Sequence, residues 1–177
     1  RTIEVKPEYG SRTSPKLDLF ASDVYGKVGI TGNASAFDTG GFRQVVDSEA
    51  GPIDTNATVK YQNYNVKVDY NPNANFNTFV RGNYFNEDRN NAKVATANGT
   101  PVGTPNGTPE DNGTTAESFA AGVRTLLRDQ SNLQATLFWD SVDYDQTFLA
   151  VNTVANTPPR STARLTTSQH VPTKNFG

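Results

Sequence analysis

Apolar residues return at every second position through most of this chain, and that period most constrains what it can fold into. Ile3 and Val5 alternate with Thr2, Glu4 and Lys6, and Leu17 and Leu19 alternate with Lys16 and Asp18. After a turn at 23–26, Val28 and Ile30 keep the period. Tyr64, Val66, Val68 and Tyr70 share one face, interleaved with Asn65, Lys67 and Asp69. Phe119, Ala121, Val123 and Thr125 do the same, as do Leu133, Ala135, Leu137 and Trp139. A strand projects successive side chains to opposite faces, whereas a helix needs apolar residues three and four apart. Helical spacing is nowhere sustained. The expected fold class is all-β, an antiparallel meander of about seven long strands forming one unit over 1–177.

The connections add a second constraint. Short ones fall near 23–26, 71–75 and 128–132, and long polar ones near 38–57, 90–117 and 145–173. Compact antiparallel domains favour short connections, and structureless loops beyond about 15 residues are uncommon in them. Alternating short and long connections send every long loop off one side of the sheet. Segments 58–70, 76–89 and 133–144 each exceed ten residues, whereas strands of globular sheets cluster near about 5–6. A strand crossing a bilayer needs about 9–11. The expectation is therefore a transmembrane β-barrel wall with short periplasmic turns and long external loops. The mean hydropathy of −0.61 and 34% hydrophobic residues do not oppose it, because only alternate strand residues face lipid. No run approaches the length of a membrane-spanning helix.

Several chemistries find no support. The chain has no cysteine, which removes disulfides, zinc fingers and thiol nucleophiles together. Its only histidine, His170, is expected on a loop beside Gln169, Val171 and Pro172, without partners for a triad or a transition-metal site. Asp140, Asp143 and Asp145 are weak calcium candidates, expected at a loop margin but without the glycine and terminal glutamate of an EF-hand loop. The expectation is no enzyme, no cofactor and no catalytic residues. A net charge of −2 argues against a nucleic-acid partner. Segment 95–115 repeats Asn, Gly, Thr and Pro and reads as an exposed loop. Its Asn-Gly-Thr triplets, with Asn33-Ala34-Ser35 and Asn56-Ala57-Thr58, match the glycosylation sequon but are also ordinary turn residues. Tyr25, Phe37, Tyr70, Phe76, Phe85, Trp139, Tyr144 and Phe148 are expected near strand ends as interfacial girdles. Arg81, Arg124 and Arg128 are expected within or at the ends of strands and must avoid lipid at mid-depth.

Some segments carry a family resemblance. Leu19–Asp23, Gly26–Gly29 and Phe37–Phe42 resemble a barrel hairpin of TonB-dependent receptors. So do Phe79–Asn91 and Asp143–Phe148, and Gln169–Gly177 looks like a return from an outer loop. The resemblance spans nearly the whole chain in order. It implies a 22-stranded outer-membrane barrel around an N-terminal plug, taking up siderophores, cobalamin or glycans with energy from the TonB complex. It also implies contact with outer-membrane lipid and lipopolysaccharide. No plug or TonB-box segment is present, and a chain starting at Arg1 without methionine is expected to be an internal piece of a longer polypeptide. A structural or adhesive role, with open strand edges assembling copies into a sheet or fibre, is the alternative. A soluble carbohydrate-binding β-sandwich is a third reading, disfavoured by the loops.

Overall fold

In a computed structural model the described residues are 1–97, 100–101, 109–152 and 162–177, with 96–97, 100–101, 152 and 162–166 described by backbone alone. The chain is all-β, and no described residue is helical. Eight long strands form the sheet: β1 (Thr2–Gly10), β2 (Ser14–Tyr25), β3 (Val28–Asp38), β5 (Asp54–Asn73), β6 (Phe76–Val94), β9 (Pro109–Leu126), β10 (Asn132–Asn152) and β11 (Thr162–Phe176). They pair antiparallel in chain order, and the sheet stays open between β1 and β11. Short β4 (Phe42–Arg43) adds to β5, while β7 (Thr96–Ala97) and β8 (Thr100–Pro101) form a separate two-stranded ladder.

The alternating period sets this register. Residues that hydrogen-bond across strands form rows, and each row faces one side. One row runs Ile3, Ala21, Gly32, Val66, Gly82, Phe119, Trp139, Phe176. The next runs Glu4, Phe20, Asn33, Asn65, Asn83, Ser118, Asp140, Asn175 on the opposite side. Sliding one strand by a single residue would exchange its two faces, so the pattern fixes the pairing.

At one end the connections are tight: 26–27, 74–75 and 127–131. Gly26 takes φ 61°, the left-handed conformation such a turn requires. At the other end, 39–53, 95–108 and 153–161 are longer, but the β1–β2 turn at 11–13 is short and interrupts the expected alternation. The loops are also shorter than expected, because the strands continue into them: β6 reaches Val94, β9 starts at Pro109, β10 reaches Asn152 and β11 starts at Thr162. In β6 and β9 these extensions are mostly polar on both faces, so no hydrophobic period marks them, whereas in β10 Phe148–Val151 form an unbroken apolar run without alternation. Residues 98–99 and 102–108 of the Asn-Gly-Thr-Pro segment, with two of its triplets, fall wholly or partly outside the described residues. Asn33, Asn56 and Asn112, each opening a sequon, lie within strands.

Interior packing is slight. Among described residues the buried apolar side chains are Ile53, Ala92, Val94, Ala95 and Ala120. Four of these lie where loop 39–53 folds against the end of β6, and Val94 donates its N–H to Ile53 O (3.0 Å). The loop is pinned at its start as well. Gly40 donates to Arg12 O (3.0 Å), and Asn56 Nδ2 donates to Gly40 O (3.1 Å).

Candidate functional site

With so little interior, the two faces of the sheet carry the functional information. One face bears Ile3 and Val5 of β1, Leu17, Leu19 and Ala21 of β2, and Val28, Ile30, Ala34 and Ala36 of β3. It continues with Tyr64, Val66, Val68 and Tyr70 of β5, Val80 and Tyr84 of β6, Phe119, Ala121 and Val123 of β9, and Leu133, Ala135, Leu137 and Trp139 of β10. This apolar face is the more exposed one. In β2, Leu17, Leu19 and Ala21 are exposed while Lys16, Asp18, Phe20 and Ser22 are half-buried. Val66 is 55% exposed and Leu137 71%. A soluble sheet does the reverse, sheltering its apolar face and wetting the polar one.

The apolar residues form a band limited on its loop side by aromatic rings from β5 to β11. Its limit on the loop side lies at Leu17 and Ala36 in β2 and β3, then at Tyr64 and Tyr84, then at Phe119, Trp139 and Phe176. The Tyr64 and Tyr84 rings are 6.2 Å apart. Each step moves the limit two residues toward the tight turns, so the band crosses the hydrogen-bond rows obliquely. On the turn side the limit falls at Tyr25, Val28 and Tyr70 in one row, then two residues further at Phe76 and Leu133. Between Tyr64 and Tyr70 the band spans six residues, about 20 Å along the strand.

The sheltered face is polar and internally bonded. Lys16 Nζ lies 2.6 Å from Asp18 and 3.6 Å from Glu8, and Ser35 Oγ donates to Asp18 (2.6 Å). Asn65 Nδ2 donates to Asn33 Oδ1 (2.8 Å). Lys67 and Arg81 pair across β5 and β6 on this face, level with the middle of the apolar band. Lys67 Nζ sits 2.8 Å from Asp69 and 5.7 Å from the centre of the Phe79 ring. Phe37, Tyr61 and Phe85 form a ladder here, with ring centres 5.5 and 6.4 Å apart.

The aromatic expectation therefore divides. Tyr25, Tyr70, Phe76 and Trp139 lie on the apolar face, whereas Phe37, Phe85, Tyr144 and Phe148 alternate to the polar one. Phe85, Trp139 and Tyr144 also lie well inside strands, because the strands outrun their apolar stretches. Arg81 and Arg124 both lie on the polar face, and Arg128 lies in the 127–131 turn.

The three aspartates do not form one site. They occupy the interior of β10 instead of a loop margin, and strand alternation puts Asp140 on the polar face but Asp143 and Asp145 on the other. No cluster of three possible ligands occurs among the described residues. His170 lies in β11 instead of a loop and donates from Nδ1 to Asp145 Oδ1 (2.8 Å), directly across the strand pair. Sequence reading missed that partner, because the register joining β10 to β11 spans a loop. Asp38, Lys60, Asp88, Asp111 and Asp145 line a groove of about 660 Å³ above the band.

Asp129, in the 127–131 turn, has its pKa lowered by the Ser131 hydroxyl (2.6 Å) and then by the Ser131 N–H (3.0 Å), both donating to Oδ1. A depressed carboxylate stabilises the fold above its unfolded pKa of about 3.9, and the contribution is lost as pH falls through the folded value. An NMR titration is expected to place the Asp129 midpoint below the ordinary range, and Ser131→Ala to return it there. An unshifted midpoint in the parent chain would remove this turn bond.

Fold and faces together define an open antiparallel β-meander, apolar on its exposed face and polar on its sheltered one. Compared with known proteins, the chain matches no family model, no curated protein and no solved structure.

Proposed function

We propose that this chain is part of the wall of a bacterial outer-membrane β-barrel of the TonB-dependent receptor kind, contributing to energised uptake of a scarce nutrient such as a siderophore, cobalamin or glycan. The observation that carries the membrane part of this reading is the exposed apolar band, oblique to the hydrogen-bond rows on its loop side and limited there by aromatic rings from β5 to β11. Barrel strands tilt by about 35–45° against the membrane normal, so a lipid band level with the membrane cuts across their rows. Lys67 and Arg81 at mid-height both take the face away from it, where a hydrated interior accommodates charge. The receptor part rests on the sequence resemblance.

In this setting the apolar face meets outer-membrane lipid, and the groove above it stands at the level of lipopolysaccharide headgroups. The open edges meet further wall strands, since unpaired backbone is not tolerated in hydrocarbon. The TonB complex acts through parts of the receptor outside this sequence. Copies assembling edge to edge would use the same two edges, where Pro7 and Pro172 in one row each withhold one N–H from whichever strand pairs there.

Trp139 tests the membrane reading directly. With the complete barrel reconstituted in vesicles containing acyl-chain-brominated phospholipid, and Trp139 kept as its single tryptophan, Trp139 fluorescence is expected to be strongly quenched. Emission unchanged by bromination would put the band in water and end the proposal.

A further inference from the structure

Above the loop-side limit of the apolar band, the polar face carries its short ladder of rings. Phe37 and Phe85 stand one residue beyond Ala36 and Tyr84, and Tyr61 stands three residues beyond Tyr64. The ring centres are 5.5 and 6.4 Å apart, with consecutive planes inclined by 34° and 31°, so the three form one continuous strip. All three are half-buried, and Tyr61 Oη makes no hydrogen bond among the described residues. Charge around the strip is internally balanced. One row on this face runs Glu8, Lys16, Phe37, Tyr61, Glu87. Lys16 Nζ lies 2.6 Å from Asp18 and 3.6 Å from Glu8, Lys6 Nζ lies 2.8 Å from Glu8, and Arg89 lies 2.9 Å from Glu87. Three cations thus meet three carboxylates, which leaves no free charge to attract an ion. Ser35 and Asn63, in the row of Phe85, add neutral polar groups.

We infer that this strip is a stacking platform for a neutral oligosaccharide, which narrows the nutrient of the proposed uptake to a glycan. The inference rests on the reading that the polar face lines the interior of a receptor barrel. A pyranose turns C–H groups to one side and hydroxyls to its edge. The negative face of an aromatic ring attracts the C–H side, and the edge hydroxyls find carboxylates and amides in the same two rows. Rings set side by side hold consecutive sugars of a chain, which a lone aromatic does not. The low ends of β2 and β3 bring the strip close to the rim, so a chain arriving from the loop side meets it early. Cross-strand ring pairs also stabilise a sheet, but a ladder serving that purpose alone binds no sugar.

The test uses the complete receptor, with Trp139 as its single tryptophan, in nanodiscs of acyl-chain-brominated phospholipid. Cellohexaose, maltohexaose and mannohexaose are the probes, with xylitol as an open-chain polyol and citrate as an anion. Calorimetry is expected to show binding of at least one hexaose, unchanged by added salt, and no binding of xylitol or citrate. Tyr61→Leu is expected to lower that affinity about tenfold and Phe85→Leu several-fold, the size of a lost aromatic contact. Tyr61→Phe, which keeps the ring, is expected to stay within about twofold of the parent. Urea midpoints of the variants separate lost affinity from lost fold. Absence of hexaose binding, binding that weakens with salt, or binding indifferent to both Tyr61→Leu and Phe85→Leu overturns the platform. Trp139 emission in the same sample separates the two readings. Quenching without hexaose binding discards the platform and leaves the wall in place, whereas hexaose binding with the expected variant pattern and no quenching supports the platform and discards the wall.

Discussion

Val66→Arg is expected to cost about 2–4 kcal/mol of folding free energy in a bilayer, the penalty for a cation at mid-depth on a barrel's lipid face. Val66 stands near the centre of the apolar band, 55% exposed, with Gly32 and Gly82 on either side. In a sheet wetted on both faces, such an exposed position would tolerate arginine within about ±0.5 kcal/mol. The two environments therefore give different answers at one residue. Urea titration of the chain folded into phospholipid vesicles measures the difference. Asn83→Arg is the control, placed one residue from the row of Val66 on the opposite face. It is expected to change stability by less than about 1 kcal/mol. Equal effects at both positions would mean that neither face sees lipid.

Gly41→Ala is expected to destabilise by about 3 kcal/mol or more, a size reserved for a backbone that cannot adapt. Gly41 has φ 68°, and a Cβ built there lies 1.7 Å from Ala57 O. A carbonyl within β5 cannot swing aside as a side-chain tip can. Arg12 Nη1 approaches Gly41 O at 3.5 Å, and Gly41 N donates to Thr39 Oγ1 (3.0 Å), so the corner joins three segments. Gly26→Ala separates the two causes. Gly26 has φ 61° with nothing within 4 Å of the added methyl, so only the left-handed backbone is charged, about 1–2 kcal/mol. Urea midpoints for both variants, with proteolysis of loop 39–53 in the first, provide the measurement. A Gly41→Ala cost no larger than that of Gly26→Ala would show that the corner is loose.

Inside the band the sequence was legible. Tyr64, Val66, Val68 and Tyr70 alternate with Asn65, Lys67 and Asp69, and that alternation alone names the strand and both its faces. Beyond the band the signal stops, although the ladder does not. Residues 86–90 of β6 and 111–115 of β9 pair in register, yet they are Asn, Glu, Asp, Arg, Gly and Thr, polar on either side. Composition of that kind reads as loop because no buried surface demands a period. The same blindness put Asp140, Asp143 and Asp145 at a loop margin and His170 on a loop. Alternation also decides the aromatics, since Phe37 and Tyr25 are equally good girdle candidates until their positions are counted by twos. The bond from Asn65 to Asn33 was out of reach for another reason. It joins β3 to β5, and cross-strand register through a 15-residue connection such as 39–53 is set by the assembled sheet.

The strands do not all rise equally far past the aromatic limit. β5, β6 and β9 each continue ten residues beyond Tyr64, Tyr84 and Phe119 to Asp54, Val94 and Pro109, about 33 Å of extra strand. β2 and β3 stop two or three residues beyond Leu17 and Ala36. The rim is therefore a parapet with a breach: tall along five strands, low along three. The low sector leaves Phe37 and Tyr61 nearest the rim on the polar face, so under the proposed barrel reading it would be the shortest way down from the loop side.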